Sequence, residues 1–427
     1  MIVGHGAADK QLAEHEVLDI LARGLPPETV AGKRVLVLTP DATRTCPLPL
    51  MIRGLARIVA PLAAQLDFMV ALGTHQPMAH DDILALYGLT PASKEALLPG
   101  ARLMNHRWDL PDTLTVIGRL EADEIAEISG GLFHQGVDVS VNRHIFDYDL
   151  ILILGPVFPH EVAGFSGGDK YLFPGIAGGN FLHFTHWLGA VVTCWDTIGI
   201  KQTPVRAALT RAARLVSVPR LCVSMVVRSK TALAGLFVGD TQASWSAAAD
   251  LSAQLHIVYK DKPFQTVLGT ASPMYDELWV AGKVMYKLEP VVADGGTLII
   301  YGKHINRVSD TWGEQIARVG YHTRDYFLKR MDQFRDFPGG VLAHSTHVRG
   351  LGIFENGVEK PRIDVVLATS ISEAQCRAIN LGYMDPDAVH LDDYRNREDK
   401  GILFVENAGE ILHRLKPQTN GAGFSRL

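Results

Sequence analysis

At 427 residues the chain is longer than one hydrophobic core usually fills, which points to two domains. Hydrophobic residues make up 47% and charged residues 20%, an ordinary globular balance, and a formal net charge of −5 excludes a basic protein that coats nucleic acid. The start, MIVGHGAADKQLAEHE, lacks the basic and apolar regions of a secretory signal. No run of about 18 apolar residues occurs, so neither a membrane span nor a membrane partner is expected. Cys46, Cys194, Cys222 and Cys376 are scattered, with no C-x-x-C pair, a pattern that fits reduced thiols and a cytoplasmic location.

In chain order, a first helix is expected around Gln11 to Arg23, followed by a buried strand at Arg34–Thr39 that Pro40 and Asp41 end. A helical pattern covers Pro49 to Leu66, and Asp67–Leu72 reads as the next strand, ending at Gly73-Thr-His75. Asp149–Leu154 repeats the arrangement before Gly155 and Pro156. A second block begins with Phe264–Leu268, continues through a helix around Glu277 to Tyr286, and adds strands at Gly295–Tyr301, Ile363–Ala368 and Gly401–Val405. Strands alternating with helices predict an α/β protein of two domains, each with a mostly parallel sheet flanked by helices. The boundary falls near 260–268, giving domains 1–263 and 264–427, with the last strand free to pack back on the first domain. The tail after Lys416 is polar, glycine-containing and expected to fray.

Parallel sheets bind ligands beyond the carboxyl ends of their strands. The polar residues that follow the strands are Asp41, Thr43 and Arg44, then His75, His106, and His160 with its glycine-rich continuation. That continuation, Pro159 to Gly179, carries glycines at 164, 167, 168, 175, 178 and 179 around a single lysine, Lys170. Such a loop brings backbone N–H groups close to a ligand, and its lysine can clamp a phosphate or act as a nucleophile. The spacing is not that of a G-x-x-x-x-G-K-[ST] phosphate loop, and a glycine-rich turn with a solvated lysine is the plainer reading. His183 and His186 stand three apart and would share a helix face. They lack the intervening carboxylate and spacing of an H-E-x-x-H zinc site, so a lone histidine ligand would need help from a cofactor.

The stretch Ala163-Gly-Phe-Ser-Gly-Gly-x-Lys170 with Pro174-Gly175, the Asp41-x-Thr-Arg44 turn and the Gly73-x-His75 strand end resemble the nickel-dependent lactate racemases and their 2-hydroxy-acid racemase and epimerase relatives. The resemblance runs from about Val35 to Val405 and implies an active site in the cleft between the domains. It implies nickel held in a nickel-pincer nucleotide, a pyridinium-3-thioamide-5-thiocarboxylic acid mononucleotide joined covalently to Lys170 and made by separate cofactor-synthesis enzymes. His186 would be the protein's nickel ligand, while Asp41, Gly167 and Gly168 would border the cofactor. By the same resemblance His106 and His160 are the acid/base histidines, Arg44 and Lys283 hold the substrate carboxylate, and Trp279 lines the substrate. A homo-oligomer is compatible with this reading.

Two departures stand out. Asp169 replaces an arginine before the cofactor lysine of the family's first-described member, and Val280, next to Trp279, replaces a glutamine, which makes the pocket wall less polar. The tract His344-Ser-Thr-His347-Val-Arg349 reads either as a solvated turn or as a further substrate contact. The implied chemistry inverts a 2-hydroxy acid through a planar 2-keto acid. Hydride removal from Cα avoids building a carbanion beside a carboxylate, and a histidine handles the hydroxyl proton. A metal-dependent hydrolase and a non-catalytic nickel- or nucleotide-binding protein are the alternatives.

Overall fold

The computed structural model describes residues 2–417, so the tail from 418 onward lies outside the described residues. Its first sheet has seven strands, in the spatial order Ile2–Gly6, Ala232–Gly239, Arg220–Ser229, Leu150–Pro156, Arg34–Thr39, Gln65–Val70 and Leu103–Asn105. The last five run parallel, and the antiparallel hairpin 220–239 with strand Ile2–Gly6 closes one edge. Alternate side chains of the central strands enter different cores. Val35, Val37, Leu152 and Leu154 face one way, and Leu36, Leu38, Ile151 and Ile153 face the other. A strand covered on both faces has no polar side to show, which is why these segments read as unbroken apolar runs.

The chain order reverses between Arg34–Thr39 and Leu150–Pro156, where the connections leave in opposite directions. That reversal opens a crevice beyond the carboxyl ends of both strands. The second sheet is fully parallel, in the order Gly382–Tyr383, Asp364–Thr369, Val292–Gly302, Phe264–Ala271 and Ile402–Ala408. Its own reversal lies between Phe264–Ala271 and Ile402–Ala408, so its crevice is built by Ser272–Tyr275 and by Gly409 and Glu410. The two crevices face each other: the Thr45 N–H donates to Glu410 at 3.3 Å, and Lys283 Nζ donates to the Thr43 carbonyl at 3.2 Å. The chain crosses between the sheets twice, and the crossings are joined where Leu412–Leu415 pairs in parallel with Ile257–Lys260.

One helix is shorter than its pattern. The expected helix from Pro49 to Leu66 spans Leu48–Ile58, and Gln65 already begins the next strand. Pro61 cannot continue a helix, and it disfavours helical geometry at Ala60 before it. No helix among the described residues is long and apolar enough to cross a membrane. All four cysteines are free thiols.

Candidate active site

The facing crevices form one cleft with about 1180 Å³ of empty space reaching to its open mouth. On the first-domain side, the turn after Thr39 places Asp41 at the bottom of the wall. Its Oδ1 accepts from the Thr43 N–H and hydroxyl, at 3.1 and 2.7 Å, and its Oδ2 meets His75 Nδ1 at 2.5 Å. Burial alone would raise the Asp41 pKa, but His75 and then Arg44 hold it well below the usual carboxylate range. A carboxylate can only accept, so His75 carries a proton on Nδ1, and in the neutral ring Nε2 is then bare.

His160 has the opposite tautomer. Its Nδ1 accepts from the Val162 N–H at 3.1 Å, so its proton sits on Nε2. Burial, then the charges of Lys170 and Arg44, push its pKa well below the ordinary value, and the ring stays neutral. The glycine-rich loop turns back here through the short pairing of Pro159–His160 with Gly164–Phe165. Gly164 has φ +80°, and a Cβ there would collide with the Ile200 carbonyl, so this position accepts only glycine. Arg206 supports the loop from below, donating to the Phe165 and Gly167 carbonyls while its guanidinium lies 4.2 Å from the centre of the Trp245 ring.

Lys170 rises from this loop into the cleft. Burial and the Arg44 guanidinium lower its pKa to about 7, so the nucleophilic free amine is well populated near neutrality. Helix Gly179–Val192 brings His183 and His186 to the same cleft, as their spacing requires. His186 Nδ1 donates to the Leu182 carbonyl at 2.8 Å, leaving Nε2 bare, and burial followed by the Lys170 charge lowers its pKa to about 3. A neutral imidazole whose tautomer is locked by a backbone carbonyl is suited to bind a metal. Among the described residues, however, no three His, Cys, Asp or Glu gather to hold an ion. A metal here would find at most two such protein ligands, and a bound group carrying its own donors could complete its shell.

The second-domain wall comes from helices Leu278–Ala281, Lys283–Leu288 and Gly339–Arg349, which carry Trp279, Lys283, His344 and His347. Lys283 Nζ lies 4.7 Å from the Tyr275 ring centre, and burial with Arg44 nearby pushes its pKa well down. Lys287 is 3% exposed and donates to the Pro159 carbonyl next to His160. It also offsets the burial of Glu161, whose carboxyl is held below its usual range. Arg44, Lys283 and Lys287 thus converge on a small cavity that shares His160 and Glu161 with the cleft.

His106 does not belong to this wall. Its ring is fully buried, with Nε2 on the Ala177 carbonyl at 3.0 Å and Nδ1 accepting from the Asn142 amide at 3.2 Å. Both nitrogens are thus engaged within the protein, and the ring lies outside the residues that line the cleft. His75, at the end of the neighbouring strand Gln65–Val70, does line the cleft. Gly168 is displaced as well: it packs against Trp245, while Gly167 faces the cleft. Asp169 points away, accepting from Gln242 at 2.6 Å and pairing with Arg220 at 3.4 Å, so the departure at that position leaves the charge inside the cleft unchanged. The tract from His344 to Arg349 is the end of a buried helix and not a solvated turn. Glu161, Lys287 and Tyr275 carry no motif; only the meeting of the two sheets makes them neighbours.

Residues 10–194 match the model of the lactate racemase N-terminal domain. A crystallographically determined protein from Thermotoga maritima superposes with a TM-score of 0.86 at 31% identity, over 95% of this chain and 99% of that one. The lactate racemase of Lactiplantibacillus plantarum is 25% identical over 281 residues, 64% of this chain and 61% of that protein. Residues 10–194 form a lactate racemase N-terminal domain. A second lactate racemase, from Thermoanaerobacterium thermosaccharolyticum, is 23% identical over 275 residues, 63% of this chain and 59% of its own length. These matches therefore span about 60% of each named racemase. The apoprotein structure of a lactate racemase from T. thermosaccharolyticum has the same fold, with a TM-score of 0.70 at 18% identity over 96% of this chain and 94% of that one.

Proposed function

We propose that the protein racemises or epimerises 2-hydroxy acids and carries a nickel-pincer nucleotide on Lys170, with His186 as the protein's nickel ligand. The observation that carries this reading is the pairing, in one cleft, of a lysine amine at a pKa of about 7 with a histidine whose free nitrogen has no other protein ligands beside it. A single imidazole suits nickel when sulfur donors arrive with the cofactor, and a covalent bond to Lys170 would keep such a group in place. Bound there, the group supplies a reversible hydride acceptor for the substrate's Cα.

The chain's own residues do the rest. Arg44 and Lys283 reach from opposite walls to hold the substrate carboxylate, one as a fork and the other as a point charge. His75 presents a bare Nε2 that takes the hydroxyl proton, with Asp41 stabilising the imidazolium that forms. His160 presents an Nε2–H that returns a proton to the oxygen of the keto acid once its other face is offered. Two histidines set in opposite tautomers let the enantiomers exchange roles: the acceptor for one is the donor for the other. Trp279 and Val280 close the cleft and keep water from the planar intermediate. A metal-dependent hydrolase would need several protein ligands around its ion, and among the described residues that set is missing. The action of a cytoplasmic enzyme loaded by separate synthesis enzymes follows from the same proposal.

The test is intact-protein mass spectrometry with nickel analysis, on material produced together with the cofactor-synthesis enzymes. An adduct mapped to Lys170, with about one nickel per chain and racemising activity, is the expected result. Lys170 left unmodified under conditions that load a known racemase removes the proposal.

A further inference from the structure

The mechanism above leaves two buried histidines of the cleft unused. His344 and His347, one turn apart on helix Gly339–Arg349, are 6% and 3% exposed, and both line the cleft. His344 stacks on Trp279 with ring centres 4.1 Å apart and planes 12° apart, and its Nε2 donates to the Trp279 carbonyl at 3.0 Å. Its Nδ1 is then a bare acceptor, buried and without a partner. The His347 ring packs edge-on to Tyr286, with centres 5.7 Å apart, and neither of its nitrogens has a partner. It also lines a small cavity behind the cleft, so one nitrogen can be served from there and the other from the cleft.

Native interiors rarely leave buried polar atoms unmatched, and three on one wall of a ligand cleft point to a ligand group that matches them. We propose that His344 and His347 form a subsite for a hydroxyl on the substrate's carbon chain beyond C2, which makes the preferred substrate a polyhydroxylated 2-hydroxy acid in place of lactate. The inference rests on the 2-hydroxy-acid reading above and specifies its substrate. A hydroxyl both donates and accepts. It can donate to His344 Nδ1 and accept the N–H of a neutral His347. A second carboxylate can only accept, which leaves His344 Nδ1 unmatched, and it would stand near the ionised Glu161, whose charge His347 already senses. A methyl group satisfies neither ring. Trp279 stacked on His344 fixes the acceptor in place, so that recognition does not depend on ordering a free side chain.

Calorimetric titration with glycerate, lactate and malate, in both enantiomers, tests the subsite on wild type, His347→Phe, His347→Gln and His344→Leu. The same acids are then compared by kcat/KM with cofactor-loaded enzyme. Glycerate should bind at least about 10-fold tighter than lactate, with malate no tighter than lactate. His347→Phe and His344→Leu should bring the glycerate-to-lactate ratio to within about twofold, while His347→Gln, which keeps a donor and an acceptor, should preserve most of it. A wild-type ratio near one, a preference for malate, or a preference that survives His347→Phe overturns the subsite. Preferential glycerate binding with no exchange of any acid's Cα hydrogen would support the subsite and remove the racemase reading. Equal turnover of lactate and glycerate would do the reverse.

Discussion

Replacing His75 and His106 in turn by alanine separates a residue of the cleft from a residue of the core. His106 is fully buried, and its removal strands the Ala177 carbonyl and the Asn142 amide, themselves 1% and 0% exposed. Two buried groups left unpaired, together with the space of a lost ring, cost roughly 3–5 kcal/mol. His75 has a side chain 37% exposed, and Asp41 keeps its two bonds from Thr43 when the imidazole goes. Its removal should therefore change stability by less than about 1 kcal/mol. Activity should move the other way, with His75→Ala losing about 10²–10⁴-fold in the direction that needs its Nε2. Urea denaturation midpoints and exchange of the substrate Cα hydrogen by loaded enzyme measure the two effects. A His106→Ala protein as stable as wild type but inactive, or a His75→Ala protein with near-normal exchange, would refute the reasoning.

Lys287→Met should destabilise the protein by about 3 kcal/mol, because Glu161 then keeps its charge without the cation that most favours it. Adding Glu161→Gln should recover part of that loss in the same denaturation assay, and a purely additive double variant would argue against coupling. Carboxylate binding should take up protons, since burial beside Arg44 pushes the Lys283 pKa well down and an arriving anion restores its charge. Calorimetry in buffers of different ionisation enthalpy measures this, and a heat independent of buffer would contradict it. Stability should fall as pH drops from about 6.5 towards 4, because burial holds His106, His256, His347 and His413 down to about 4 and His344 to about 3. In that window the unfolded chain binds protons that the native rings refuse, at about 1.4 kcal/mol per pH unit for each ring. Denaturation midpoints that stay level from pH 6.5 to 4.5 would contradict the assignment of these rings as neutral.

Much of the architecture was legible because the central strands are covered on both faces. Arg34–Thr39 and Gly295–Tyr301 could be only buried strands, and each ends in polar residues that a parallel sheet delivers to one edge. The Lys170 loop and the His183 and His186 face were legible for the same kind of reason, since short-range spacing decides them. His106, too, follows a strand, Leu103–Asn105, but at the edge of the sheet, away from the reversal that opens the crevice. Position along the chain says that a residue stands at a strand end; only the strand order says which ends meet. Lys287, Glu161 and Tyr275 were beyond reach for a related reason. Their neighbours are 128 residues away in the case of Lys287 and Pro159, and nothing local in the sequence marks such a pair.

The double crossing between the sheets is one of the ties between the walls of the cleft. The passages near 260 and 410 are stitched into parallel strands. Farther along, the Gly340 N–H donates to His183 Nδ1 at 3.3 Å, and the Trp187 and Phe327 rings meet edge to face with centres 6.2 Å apart. The walls nonetheless carry different parts of the site: Lys283, Trp279, His344 and His347 on one, Lys170, His186 and the His75–Asp41 pair on the other. A lineage can recut the first wall to suit a different acid and leave the second untouched, as a lock can be rekeyed without replacing the door.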